Sequence, residues 1–336
     1  MTYQITLQPS GHHYSVAAGE ILLEAALDAG FVLPYGCRNG ACGSCRARVL
    51  EGTVDHGKSQ NGALPENARR EGYALLCCAT AQSDLRIECR ELAASSEYPL
   101  KIMPCRVQEL TKLADDVMLM TLKLPVNERL AFRAGQYIEF MLKGGARRAF
   151  SLANAPHDDG FLQLHIRKID GGSFTGHVFE GMQVKEILRF EGPHGTFHLR
   201  EESNKPIIFL AGGTGFAPIK SMVEHAIHNQ ITRPMKFYWG SRNRAGLYME
   251  ALAQSWADAH SHIEFIPVLS EAGEGDQWRG RTGLVHQAVL EDHADLAAYQ
   301  VYACGAPGMI DAARIDFCSR GLPADEFFAD AFTFAA

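Results

Sequence analysis

The chain has 336 residues, 32 Lys and Arg against 39 Asp and Glu for a net charge of −7, and 46% hydrophobic residues. That length exceeds one ordinary core and predicts two or three domains, the charge argues against nucleic acid as the main partner, and no apolar run reaches the roughly eighteen residues of a membrane span. Nine cysteines behind an N-terminus with neither a basic start nor an apolar run read as reduced thiols or ligands in a cytoplasmic protein.

The first residues alternate apolar and polar (YQITLQP, then HYSVA), which is the period of a β-hairpin. GEILLEAALDAGF has helical spacing, with Gly30 as its stop. A loop rich in cysteine and glycine follows, YGCRNGACGSC at 35–45, then a strand (RARVLEG), a polar stretch over 55–68, and ALLCCATAQSDLRIECR, which ends in another strand. Residues 1–95 therefore read as a small β-rich unit with one helix. They carry 8 Lys and Arg against 10 Asp and Glu, so docking through them should depend only moderately on salt. SEYPLKIMP at 96–104 reads as a linker, with two prolines and no period. Over 105–202 short strands at close spacing (RVQELTKL, VMLMTLKL, GQYIEFML, RRAFSLA, FLQLHIRKI, EILRFEG) predict an antiparallel barrel. Over 203–336 strands and helices alternate from PIIFLAGG to MIDAARIDFCSRG, which predicts a parallel sheet covered on both faces.

Cys37, Cys42 and Cys45 have the spacing C-x4-C-x2-C, and Cys77 or Cys78 offers a fourth ligand. This is the plant-type [2Fe–2S] spacing. Two irons bridged by sulfides need four thiolates in a small volume, and Gly36, Gly40 and Gly43 let the backbone come close. A structural zinc site would show two C-x2-C pairs, and only Cys42 and Cys45 have that separation. Cys89, Cys105 and Cys318 fall in strand or helix patterns and read as core residues. His194 and His198 are four apart, but in a strand-and-turn segment (GPHGTFHL), so they read as structural.

IIFLAGGTGFAPIKSMV at 207–223 is a strand, a glycine turn and a helix. A pyrophosphate beside that turn would meet helix N–H groups and a favourable dipole. Gly212, Gly213 and Gly215, with Thr214 among them, allow close approach, and Pro218 suits a helix start. GSRNRAG at 240–246 follows the next strand, where the adenosine ribose should lie; Arg242 and Arg244 there leave NADPH possible, and the reading inclines to NADH.

With the cysteine loop, GGTGFAP and module order together, the chain resembles the iron–sulfur flavoprotein reductases of the ferredoxin–NADP reductase superfamily, over essentially its whole length. The resemblance implies a multidomain α+β and α/β protein: a β-grasp plant-type ferredoxin domain (1–95), a linker (96–104), an antiparallel β-barrel FAD domain (105–202) and a parallel-sheet α/β nicotinamide-binding domain (203–336). It favours Cys77 as fourth ligand, because LLCCATAQSD resembles the end of ferredoxin domains, with Ser83-Asp84 six residues on. RRAFS resembles the motif R-x-[YF]-[ST]. This implies Arg148 on the flavin pyrophosphate, Phe150 packed on the flavin and Ser151 near N5, although many relatives have Tyr at the Phe150 position. By the same likeness the backbone of His165, Ile166 and Arg167 lines the flavin, and Gly172, Ser173 and Thr175 hold its pyrophosphate. Cys304, Gly305 and Pro307 in YACGAP would lie at the nicotinamide. Asp330 would join the active-site network, and Phe332 or Phe334 would cover the flavin.

The implied chemistry is transfer from NAD(P)H through FAD to the [2Fe–2S] cluster. The expected acceptor is a one-electron protein, an oxygenase, hydroxylase or deoxysugar dehydrase component, and the expected state is a monomer. The alternatives are a stand-alone NAD(P)H:flavin reductase and a redox-sensing interaction protein.

Overall fold

The computed structural model describes residues 1–92 and 98–332. The chain divides into two compact units, one of Met1–Ser96 and Ala329–Thr333, the other of Glu97–Phe328.

In the first unit a five-stranded sheet has the order His13–Ala17, Thr2–Gln8, Leu85–Glu88, Arg46–Glu51, Tyr73–Leu75. The expected hairpin is present, with Thr2 opposite Ala17 and Thr6 opposite His13. Alternate residues Ile5, Leu7, Tyr14 and Val16 are buried, and the helix Leu22–Asp28 presents Leu22, Leu23, Ala25 and Ala26 to the same core. Each such leucine contributes about 1.5–3 kcal/mol by leaving water. The helix ends where expected: Gly30 has φ 87°, and Phe31 N–H closes on the Ala26 carbonyl. The polar stretch contains one short helix, Glu66–Arg70, with only Ala68 buried, which left no periodicity to read.

The second unit begins with six antiparallel strands in the order Arg147–Ser151, Tyr137–Met141, Ile187–His194, Lys101–Ala114, Val117–Lys123, Leu162–Arg167. A bridge between Leu152 and Leu164 joins the two edges and closes the barrel. Its first strand starts at Lys101, inside the segment expected as linker. Pro104 lies within the ladder opposite Arg189, and alternate burial begins at Met103.

The rest of this unit carries a sheet whose strands Arg281–Thr282, Ile263–Leu269, Met235–Ser241, Ile207–Gly212 and Gln300–Gly305 lie in that order, all parallel. Strand order reverses beside Ile207–Gly212, between its neighbours Met235–Ser241 and Gln300–Gly305. Ligands of open α/β sheets bind at the carboxyl ends of strands at such a switch point. Among the described residues no helix is long and apolar enough to cross a membrane.

Candidate functional site

The cysteine loop is held by its backbone. Gly40 and Gly43 have φ 73° and 71°, and Arg38 has φ 54°, a conformation that L side chains rarely adopt. Glu24 on the neighbouring helix holds Arg38 with oxygens 2.6 and 2.5 Å from Nη2. Nothing in the sequence singles out this pair, because it forms across the fold. Cys37 N–H points at Cys42 Sγ (3.5 Å) and Asn39 N–H at Cys37 Sγ (3.4 Å). A hydrogen bond from Cys37 holds the Cys42 thiol down at about 5 and pushes Cys37 up. Contact with Cys45 pushes Cys77 up, and Cys42 adds to the effect. Cys37 is thus linked to Cys42, and Cys77 to Cys45 and, through charge, to Cys42. Cys78 Sγ lies 3.6 Å from Cys77 Sγ and 2.8 Å from where a Gly40 Cβ would stand, with Lys58 and Ser59 also beside it. Four converging thiols with N–H groups aimed at sulfur are the donor set a [2Fe–2S] cluster needs.

Within the same unit, a Cβ on Gly36 would stand 3.2 Å from Cys42 Sγ and 3.5 Å from Asp330 Oδ1. Ser44 Oγ donates to the Ala329 carbonyl at 2.6 Å. Asp330, expected in the active-site network, lies beside the cysteine loop and is buried. Phe332 is half-buried, and Phe334 lies outside the described residues.

In the second unit the turn Gly213–Gly215 joins the strand Ile207–Gly212 to the helix Phe216–His228. Gly213 has φ 53°, and its carbonyl accepts from Trp239 Nε1 at 2.9 Å. The Phe216 ring stacks on Trp239 at 4.0 Å. Gly215 has ordinary helical dihedrals, but a Cβ there would lie 2.1 Å from the Cys304 carbonyl oxygen. Gly305 in turn packs on the Gly212 backbone. These glycines let the ends of two adjacent strands touch. Thr214 and Pro218 are buried, Cys304 is fully buried opposite Ala211, and Pro307 opens the helix Pro307–Ser319.

Barrel residues face this turn. Arg167 Nη1 donates to Asp116 at 2.6 Å, while its buried Nη2 has no partner among the described residues and lies 3.3 Å from where a Gly213 Cβ would stand. An orphaned guanidinium nitrogen at a glycine turn suits a pyrophosphate oxygen. His165 is buried with Nδ1 3.0 Å from Tyr248 Oη and its ring over Phe216. Burial, helped by the Lys220 charge, pushes it down to about 3. Ile166 is buried between these two residues.

The residues expected at the flavin divide. Ser151 is buried on the barrel strand, whereas the Phe150 ring packs against Phe140 and Phe174 in the barrel core. Arg148 Nη1 donates to the Arg147 carbonyl. The helix Ser173–Glu180 starts after Gly172 with no side-chain cap, which leaves its first N–H groups for an anion. Ser173 at its start is exposed. Thr175 Oγ1 is already engaged, accepting from Ile169 N–H at 3.1 Å and so fixing the turn. Arg147, not singled out from sequence, bridges Glu139 and Glu191 at 3.3 and 3.0 Å. With His194 these carboxylates form a compact group, and Arg147 offsets one of their two charges. His198 instead contacts Arg133 and Arg200, so the two histidines do not converge.

Three family models tile the chain: a 2Fe-2S iron-sulfur cluster binding domain at 5–82, an oxidoreductase FAD-binding domain at 104–199 and an oxidoreductase NAD-binding domain at 209–314. The chain is 41% identical over 332 residues to the CDP-6-deoxy-L-threo-D-glycero-4-hexulose-3-dehydrase reductase of Yersinia pestis, covering 99% of each. It is 34% identical to the phenol 2-monooxygenase reductase component DmpP of Pseudomonas sp. (strain CF600), over 100% of this chain and 96% of the relative. The crystal structure of the Amycolatopsis cytochrome P450 reductase GcoB matches with a TM-score of 0.78 at 32% identity, over 99% of this chain and 100% of that one. The chain belongs to the family of iron–sulfur flavoprotein reductases. It is an NAD(P)H-dependent oxidoreductase in which electrons pass from NAD(P)H through FAD to a [2Fe–2S] cluster and out to a one-electron acceptor.

Proposed function

We propose that the acceptor is a separate protein, a dehydrase acting on a CDP-linked 6-deoxyhexulose, and that the chain serves it as a cytoplasmic monomer. The observation that carries this reading is the 41% identity, end to end, with a reductase named for such a dehydrase, against 34% with the phenol 2-monooxygenase component.

In this reading Cys37, Cys42, Cys45 and Cys77 hold the cluster, and N–H groups of Cys37 and Asn39 stabilise thiolate charge. The uncapped turn at Gly172 and Ser173, with Arg148, holds the flavin pyrophosphate, while Thr175 keeps that turn in shape. Ser151 and the strand His165–Arg167 line the flavin. Gly213, Thr214 and Gly215 receive the dinucleotide, Arg167 adds a cation from the barrel side, and buried Cys304 keeps water from the reacting face. Bound, the flavin takes the electron pair of a hydride and the cluster passes electrons singly.

An anaerobic NADH titration followed by visible and low-temperature EPR spectra tests the carriers; the expected uptake is three electrons per chain. Mixing the reduced protein with a purified dehydrase of that kind and, separately, with an oxygenase component tests the acceptor. Faster oxidation by the oxygenase component, or by free flavins alone, would overturn the dehydrase assignment.

A further inference from the structure

The strand Met235–Ser241 ends in GSRNRAG, where the two arginines leave the choice of nucleotide open in the sequence. The fold brings acids to them from two other segments. Ser270 and Glu271 N–H groups bond to the Ser241 and Arg242 carbonyls, so the loop after Ile263–Leu269 runs alongside the arginine loop. Arg244 is gripped from both ends. Its side chain donates to Glu250 through Nε (2.9 Å) and Nη2 (3.4 Å), and its backbone N–H donates to Asp276 Oδ1 (2.9 Å). Its guanidinium also lies over the Trp278 ring. The second Asp276 oxygen accepts from Gly273 N–H, and these backbone bonds hold the carboxyl below its usual range. Arg242 is exposed, 3.9 Å from Glu271. Together these segments set Arg244 against Glu250 and Asp276, and Arg242 against Glu271.

A ribose 2′-hydroxyl and a 2′-phosphate make opposite demands here. The hydroxyl wants an acceptor, whereas the phosphate wants a free arginine fork and is repelled by carboxylates. We propose that Glu250 is the specificity-determining residue of this reductase: by occupying the Arg244 fork it withholds that fork from a 2′-phosphate, and so selects NADH over NADPH. Arg244 is half exposed, so the fork needs only its partner removed to become available. The inference rests on the nicotinamide-oxidising reading of the same domain and adds which nucleotide it takes and why.

The test compares wild type, Glu250→Gln and the double variant Glu250→Gln/Arg244→Leu, each as flavin- and cluster-loaded protein. One readout is the ratio of kcat/KM for NADPH to that for NADH, with ferricyanide as acceptor. The second needs no turnover: calorimetric affinity for adenosine 2′,5′-bisphosphate relative to 5′-AMP. Wild type should favour NADH and bind the bisphosphate no better than AMP. Glu250→Gln should raise both ratios about tenfold, the weight of one charge-assisted contact, and the double variant should return both to the wild-type value. A merely structural Glu250 would lower use of both nucleotides and leave the ratios alone, which overturns the proposal. So does a gain that survives loss of Arg244, or a wild type that already prefers NADPH. If wild type oxidises neither nucleotide yet Glu250→Gln gains affinity for the bisphosphate, the nicotinamide-oxidising reading fails while the Arg244 lock stands.

Discussion

The cysteine loop and the Gly213–Gly215 turn are both glycine-rich, but Gly43 in the first and Gly215 in the second answer different physical needs. In the cysteine loop the need is torsional. Gly40 and Gly43 sit at positive φ, and even a non-glycine, Arg38, is held there by Glu24. In the nucleotide turn Gly215 has dihedrals any residue adopts, and the need is space, because the Cys304 carbonyl occupies the place of its Cβ. A torsional demand can be met by local strain of about 1–2 kcal/mol. A spatial demand set by the backbone of a neighbouring strand cannot be met without moving that strand. The comparison teaches that the cysteine loop is tuned residue by residue, while the nucleotide turn is locked into the sheet.

The largest expected effect lies on the cysteine side. Cys42→Ser should abolish cytochrome c reduction while leaving much of the NADH–ferricyanide activity, since only the cluster branch is cut. Equal loss of both in folded, flavin-loaded protein would break the separation between the two regions. Next is Gly215→Ala, which forces a methyl onto the Cys304 carbonyl. Overpacking of this kind costs about 1–3 kcal/mol, to be read as a lower Tm together with slower flavin reduction by NADH. An unchanged Tm would show that the strand end yields and that the turn is not locked.

A third test uses pH. His165, over Phe216 at the nucleotide turn, is pushed down to about 3 by burial, with Lys220 adding to the effect. Its folded value is below its unfolded value of about 6.5, so the unfolded chain binds the proton first. The stabilisation from keeping it neutral is full above pH 6.5 and is lost progressively as pH falls toward 3. At pH 5 the loss is at most about 2 kcal/mol. Urea unfolding at pH 7 and pH 5 should show a smaller difference in His165→Phe than in wild type, and an identical difference would remove His165 from that account. The smallest effect is Gly40→Ala, at about 1–2 kcal/mol from its left-handed torsion. A Cβ there would stand 2.8 Å from Cys78 Sγ and 3.1 Å from Ser59 Cα, a lesser overlap than the 2.1 Å from the Cys304 carbonyl oxygen at Gly215. A destabilisation as large as that of Gly215→Ala would erase the distinction between torsion and space.

Much of the site was legible because its signals are local. The C-x4-C-x2-C spacing, the strand–glycine–helix at 207–223 and the alternation of strands and helices each lie within a short window. The barrel strands were legible for the same reason, although Lys101–Ala114 began earlier than its prolines suggested. Arg147 was not legible as a bridge because its partners come from two other strands, nor was the bond of Thr175 to Ile169, which exists only once the turn has folded.

By itself the sequence determined the order of the three modules, the number and spacing of the thiols and the position of the nucleotide turn, because covalent spacing and hydrophobic period are properties of the chain. Only the tertiary structure decided that Cys77 meets Cys45, and why Gly215 has no room for a side chain. It also decided that Arg244 meets Glu250 and Asp276 rather than open solvent. Each of these depends on atoms far apart in sequence that come within a few ångströms only when strands from separate segments align, and contact forces reach no further than that.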